Sequence, residues 1–365
     1  MLQVRPSVRW RWSDSFVVDI GGQYIAQQLQ GTVSRAAAPG PGPAAAITIP
    51  QTAGTNVGAY FGATWNWFDD FQVLPGVRFE NFSQTGETIG DPRLAARWRL
   101  MKDSPGVAEL TIKASAGVYH QPPSLLQTSA PLGNPSLTSE DSVQYLAGVE
   151  YRPTKKLLID VDGFYSSLEN VIVDSSVVTR QNGVPVPQVF SNGGSGETRG
   201  LEVFVQQQLW NNLEGWLYYT FSVSGLSTAT NGSEVLSPYD QTHVLGTVLS
   251  YALPAHWQVR GRFQYASGFP TTAIIGSVFD SSTNSYVSVP GATLGDRTPD
   301  FSQLDLRVDK TWETPSLKIT AYADVRNVYN RANLVTQYSY NFDYSQKFAR
   351  SGVPILPMVG ARVEF

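Results

Sequence analysis

The stretch Trp257-Gln258-Val259-Arg260-Gly261-Arg262-Phe263-Gln264-Tyr265 decides the fold. Its odd positions are aromatic, aliphatic or glycine, and its even positions are all Gln or Arg. A strand points successive side chains to opposite faces, so this period of two describes a ribbon with one apolar face and one wet face. A helix of period 3.6 would spread the same polar residues around its circumference.

The rhythm continues in both directions. Leu304, Leu306 and Val308 oppose Gln303, Asp305, Arg307 and Asp309, and Leu317, Ile319, Ala321, Ala323 and Val325 oppose Lys318, Thr320, Tyr322, Asp324 and Arg326. Upstream, Val143, Tyr145, Ala147, Val149 and Tyr151 alternate with Gln144 and Glu150, and Leu157, Ile159 and Val161 with Asp160 and Asp162. About fifteen such segments fall near 3–12, 15–28, 55–66, 70–82, 91–101, 106–120, 141–152, 157–173, 198–210, 213–224, 240–252, 255–267, 301–312, 315–340 and 354–365. Most exceed the roughly 9 to 11 residues that a tilted strand needs to cross a bilayer.

The connections alternate in length. Short ones fall at Ser13–Asp14, Phe68–Asp69, Lys102–Pro105, Pro153–Lys155, Asn211–Asn212, Pro254 and Glu313–Thr314. Between them lie 29–54, 83–90, 121–140, 174–197, 225–239, 268–300 and 341–353, without helical periodicity; 36–46 is low-complexity. Short turns at one end and long loops at the other mark an outer-membrane barrel, whereas a soluble sandwich has no reason to sort its loops this way. Trp10, Trp12, Trp65, Trp67, Trp98, Trp210, Trp257 and Trp312, with Trp216, all stand close to short turns, as an aromatic girdle at the periplasmic interface would. The expectation is all-β: a transmembrane antiparallel up-and-down β-barrel, one domain over 1–365, in the cell outer membrane and in contact with its lipids.

Composition agrees. The 17 Tyr, 17 Phe and 9 Trp accompany only 15% charged residues. No run approaches the ~18 apolar residues of a helical span, which leaves strands as the way to cross. Zero cysteines remove disulfides and thiolate chemistry, and a net charge of -4 without a basic run gives no footprint for nucleic acid.

Enzyme motifs are hard to find, and neither enzymatic activity nor a cofactor is expected. His120, His243 and His256 share no metal-ligand spacing. Asp160-Val161-Asp162-Gly163 lies inside an alternating strand and lacks the downstream Glu of a calcium loop. Asn192-Gly193-Gly194-Ser195-Gly196 lacks the Lys-Ser/Thr of a phosphate loop, and the sequon Asn231-Gly232-Ser233 has no further support. Wet-face charges such as Arg260, Asp305, Arg307 and Asp309 are mixed in sign and should pair across strands. Phe279, Tyr286 and Tyr239 are candidate ligand contacts in the long loops, with loop-on-loop packing the equally good alternative.

Several motifs carry a family resemblance. Gly133-Asn134-Pro135-Ser136-Leu137 with Glu140 and a later Gly148-Val149-Glu150-Tyr151 is similar to a segment of TonB-dependent receptor barrels. Thr198-Arg199-Gly200-Leu201-Glu202, Ser267-Gly268-Phe269-Pro270 and Asn327-Val328-Tyr329-Asn330 resemble three further segments of that family. The last strand, with Val359, Ala361, Val363 and Phe365 on one face, looks like the terminal signal read by the barrel-assembly machinery.

The resemblance implies a 22-stranded barrel around a plug, with uptake of a scarce nutrient: a siderophore, cobalamin, haem or glycan. It also implies a TonB partner, but only where a plug is present, and neither plug, TonB box nor signal peptide is visible here. Counted back from the C-terminus, the first strand would be about the eighth, which points to a truncated gene or a misplaced start. A passive porin-like channel is the first alternative, and a soluble carbohydrate-binding β-protein the second.

Overall fold

The computed structural model describes residues 1–35, 45–102, 108–129, 133–175, 178–181, 184–187, 189–228, 234–334 and 338–365. One antiparallel sheet of 17 assigned strands dominates it. Leu2–Val4 and Ser7–Arg11 both pair with the next strand and form one ribbon, β1, interrupted around Pro6. The others are β2 (Phe16–Arg35), β3 (Ala45–Phe68), β4 (Phe71–Phe82), β5 (Glu87–Met101), β6 (Glu109–Gln121), β7 (Glu140–Thr154) and β8 (Leu157–Asp174). They continue as β9 (Phe190–Trp210), β10 (Leu213–Thr228), β11 (His243–Leu253), β12 (Trp257–Ala266), β13 (Phe301–Thr314), β14 (Leu317–Arg326) and β15 (Leu356–Glu364). Short Glu234–Leu236 adds to the top of β10. Each long strand pairs with its sequence neighbour, the up-and-down order that the alternation predicts.

Register confirms the two faces. Trp257, Val259 and Phe263 stand level with Lys310, Val308 and Leu304, while Arg260 and Arg262 face Arg307 and Asp305. One face carries exposed Val8, Ile20, Phe61, Leu94, Ile112, Val149, Leu201, Leu249, Leu306 and Val359. A band of this size left unburied is a lipid surface rather than a core. The other face pairs its charges: Arg97 with Glu150 at 3.0 Å, Lys113 with Asp160 and Asp162 at 2.7 and 2.8 Å, and Arg307 with Asp309 at 2.7 Å.

Several boundaries depart from the sequence reading. β2, β3 and β9 continue beyond their expected ends at the loop side, because pairing with a neighbour satisfies their backbone even where alternation fades. β14 stops at Arg326, where Asn327 turns to φ 50°. The expected long loop 83–90 is a tight turn over Ser83–Gly86, where Gly86 supplies φ 72°. The loop after β6 contains a one-turn helix, α1 (Leu125–Thr128), closed by a Ser124/Gln127 capping box. The low-complexity segment 36–46, the short turn after Lys102 and the sequon at 231–233 lie wholly or largely outside the described residues.

β1 and β15 are the sheet's two edges, and they do not pair with each other among the described residues. Both run from the loop end toward the turn end, so they point the same way. No helix among the described residues is long and apolar enough to cross a membrane, which says nothing about crossing by strands.

Candidate functional site: the outer rim and its cleft

Three of the four motif segments gather at the loop end of the sheet and act as clamps. In the first, Asn134 accepts from the Ser136 N–H and donates to the Phe190 carbonyl at 2.9 Å each, while Leu137 is 2% exposed. A Cβ on Gly133 would overlap the Gln127 carbonyl, so the chain passes there only without a side chain. Glu140 accepts from the Ile172 N–H at 2.7 Å, tying β7 to β8.

The second clamp holds the loop between β12 and β13. Ser267 Oγ accepts from the His243 N–H at 3.0 Å, and a Cβ on Gly268 would strike the Thr298 carbonyl. Gly268 N–H donates to Asp300, and Arg297 donates to the Gly268 carbonyl and, at 2.5 Å, to Asp240. The Asp240 carboxylate is fully buried. Burial alone would raise its pKa, but hydrogen bonds from Arg297, the Ser224 N–H and Thr242 outweigh it and hold the carboxyl below its ordinary value. A hydrogen bond from Tyr265 is the main reason that Asp300 is also lowered.

The third clamp is built on Asn327, which has no exposed surface. Its amide donates to the Arg331 and Val353 carbonyls, its carbonyl accepts from the Arg331 N–H, and its own N–H reaches Asp305. Asn330 accepts from the Ile355 N–H, and Asn333 bonds both backbone groups of Ser302. The Arg199 segment differs: it sits in mid-strand, where Glu202 stands opposite Asp162 and Arg199 lies on the apolar face beside Leu201.

Between the upper ends of β8 and β10, the clamped loops leave a cleft of about 830 Å³ lined by Leu168, Val171, Val173, Leu226, Val235 and Leu294. Tyr239, 85% exposed, forms its rim. Phe279 and Tyr286 lie apart from it, on a hairpin of Ile274–Asp280 and Ser285–Pro290. They pack on each other with centroids 5.2 Å apart, and Tyr286 meets Phe342 of the last loop at 6.0 Å. Sequence reasoning missed the cleft, since its lining comes from five separated segments with no shared motif.

The other expected residues lie elsewhere. Trp10, Trp12, Trp65, Trp67, Trp98, Trp210, Trp257 and Trp312 stand at the turn end, each at least 40% exposed. Trp65 stacks on Trp67 at 4.8 Å, and Lys310 lies over both Trp257 and Trp312. Trp216 is different: it lines a polar recess with Gln206, Ser250 and Arg260 on the charged face. Val359 and Val363 are exposed on edge strand β15, with Phe365 beyond its end and Ala361 between them. The histidines are dispersed; His243 meets the Tyr219 hydroxyl at 2.9 Å, and His120 lies between Asp91 and Asp141. Among the described residues no group of three or more His, Asp or Glu is placed to hold a metal.

A single antiparallel sheet with an unburied apolar face, short turns at one end and clamped loops at the other defines the wall of an outer-membrane barrel. Residues 3–328 match the family described as TonB dependent receptor-like, beta-barrel, and the chain belongs to that family. The family places it in the outer membrane.

Solved structures share the fold at low identity. The ferric enterobactin receptor of Pseudomonas aeruginosa in complex with enterobactin aligns over 99% of this chain and 53% of its own, with TM-score 0.71 and 14% identity. The outer membrane transporter YddB of Escherichia coli gives 99% and 54%, TM-score 0.64 and 13% identity. FpvA of P. aeruginosa bound to a heterologous pyoverdine gives 98% and 47%, TM-score 0.64 and 16% identity. The chain thus spans about half the length of these structures. No curated protein sequence matches it. Family and neighbours are receptors and transporters, not enzymes.

Proposed function

We propose that this chain supplies the wall and outer mouth of a receptor that captures a scarce small molecule for uptake across the outer membrane. The apolar cleft beside the first two loop clamps carries the reading. Loops with no ligand to meet have no need of buried Asn327 or of the Asp240–Arg297 pair, since solvated surface loops are cheaper to maintain. The siderophore class is favoured among nutrients because neighbours of the same fold bind enterobactin and pyoverdine.

On this reading residues 1–365 are barrel wall throughout, and the paired charges of the polar face are the surface against which a plug packs. TonB energises uptake only through such a plug. Edge strands that point the same way need an odd number of further strands to close antiparallel, which a 22-stranded wall supplies with about seven. The barrel-assembly machinery reads the face of Val359, Ala361, Val363 and Phe365, and the eight turn-end tryptophans anchor in the inner interface of the lipid.

The test is titration of the outer-membrane protein with ferric catecholate and hydroxamate siderophores, cobalamin, haem and maltodextrin, read by tryptophan fluorescence. Saturable binding by one class, weakened by Leu226→Trp in the cleft, supports the receptor. No binding together with steady ion conductance in a planar bilayer supports the passive channel instead.

A further inference from the structure

The cleft at the outer mouth has a charge character as well as a shape. Its charged lining consists of Glu140 and Asp174, and among the described residues no Lys, Arg or His lines it. Glu140 is half-buried and accepts from the Ile172 N–H at 2.7 Å, and Asp174 stands exposed at the end of β8. The clamp beside the cleft does contain a cation, Arg297. Its guanidinium is held by the buried Asp240 carboxylate, the Thr242 hydroxyl and the Gly268 carbonyl, so its charge is answered within the clamp.

The rest of the lining is mostly apolar, and part of it is placed at a cost. Leu168 and Val171 of β8, Leu226 of β10 and Val235 line the cleft from the strands, and Leu294 lines it from the loop between β12 and β13. Leu294 has φ 51°, a left-handed conformation that a bulky side chain adopts only under constraint. The constraint is visible: the Leu294 N–H donates to the Thr272 hydroxyl at 2.9 Å, and the Gly295 N–H to the Ala292 carbonyl at 3.1 Å. Glycine would relieve the backbone there, yet the loop keeps a leucine that adds apolar surface to the cleft.

An apolar cavity takes the apolar body of a ligand, but a charge is stable in it only beside a partner. Ferric chelates divide on this point. Three hydroxamates each lose one proton on binding Fe3+ and leave an uncharged complex, whereas three catecholates each lose two and leave a trianion. Against two carboxylates and no cation, the trianion sheds hydration and meets like charge; the uncharged complex does neither.

We propose that the cleft selects an uncharged chelate with an apolar body, of the ferric tris-hydroxamate kind, and discriminates against polyanionic chelates. The inference rests on the receptor reading above and adds the charge of the ligand. The neighbour in complex with enterobactin shares the fold at 14% identity, and a likeness of that degree carries no lining residue across.

The test compares a ferric tris-hydroxamate and a ferric tris-catecholate of similar size on the assembled outer-membrane protein, read as iron retained in equilibrium dialysis and counting only binding that Leu226→Trp weakens. The tris-hydroxamate should bind at least about tenfold tighter. Glu140→Gln/Asp174→Asn leaves an amide carbonyl to accept from the Ile172 N–H; it should tighten the tris-catecholate about tenfold and keep the tris-hydroxamate within about threefold. Val235→Lys, which sets a cation among the lining residues, should move the preference further toward the trianion, and heat-dependent gel mobility checks that each variant is assembled. Equal or tighter binding of the trianion by the wild type, or a preference that neither variant moves, would overturn the inference and leave the receptor reading standing. Binding of neither chelate also overturns it, and the receptor reading falls only if the remaining nutrient classes fail as well.

Discussion

The two ends of the sheet solve the same problem, the return of the chain, in opposite ways. At the turn end, connections such as Lys155–Lys156 and Asn211–Asn212 leave little backbone to satisfy, and the surface is finished with exposed tryptophan. At the loop end, long connections carry many free polar groups, and buried Asn327, Asp240 and Ser267 answer them. The turn end is therefore held by local geometry, and the loop end by a polar network in which each member depends on its partners.

The comparison breaks first if the wall between the two ends does not have a lipid face. Val149 is 39% exposed on that face and lies five residues above the turn end of β7. Val149→Arg near the midplane should destabilise the assembled barrel by about 2–4 kcal/mol. Gln144→Arg, on the charged face of the same strand, should change it by less than ~0.5 kcal/mol. Urea unfolding from lipid vesicles measures both, and equal effects would sink the assignment of faces.

This contrast of faces was legible in the sequence because a period of two is a local signal: Trp257 to Tyr265 needs no partner to reveal itself. All fifteen long strands and the family motifs were visible in the same way. What the motifs do was not visible. Asn327 and Val353 are 26 residues apart, and Asp240 and Arg297 are 57 apart. Nothing in either neighbourhood announces a partner at such distance. The cleft was hidden for the same reason, and Arg199 was quoted in a motif without sign that it faces outward.

Breaking the loop end should come next in size. Asn327→Ala leaves the Val353 and Arg331 carbonyls without their buried donor, at about 1–3 kcal/mol for each unsatisfied group. The last loop should become sensitive to protease at Arg331 while the strands stay assembled. If Asn327→Asp, which keeps the acceptor but loses both amide donors, is as resistant as the wild type, the clamp is not what holds the loop.

Acid sharpens the difference between the ends. Asp240 and Asp300 are both held below the ordinary carboxylate pKa. Depressed carboxylates contribute stability that is present above their unfolded value, near ~3.9, and is lost as pH falls through the lower folded value. Between neutral pH and about 5 the loops should exchange amide hydrogens slowly; below about pH 4 the loop between β12 and β13 should exchange faster, with the Asn211–Asn212 turn unchanged. Asp240→Asn should give fast loop exchange at neutral pH, and acid sensitivity left intact in that variant would assign the effect to Asp300 alone.

The smallest effect probes the turn end by itself. Ala255 and His256 make the turn between β11 and β12 with φ 59° and 61°, a conformation that costs a residue with a Cβ about 1 kcal/mol. Glycine avoids that cost but loses more entropy on folding, so Ala255→Gly should stabilise the turn by less than ~1 kcal/mol. Lys310, which donates to the Ala255 carbonyl and lies over Trp257 and Trp312, keeps its contacts, because only a methyl group is removed. Denaturant midpoints of the variant against wild type measure the gain. A loss of stability would mean that the turn is positioned by side-chain packing, as the loop end is, and the two ends would then differ in length of connection but not in kind.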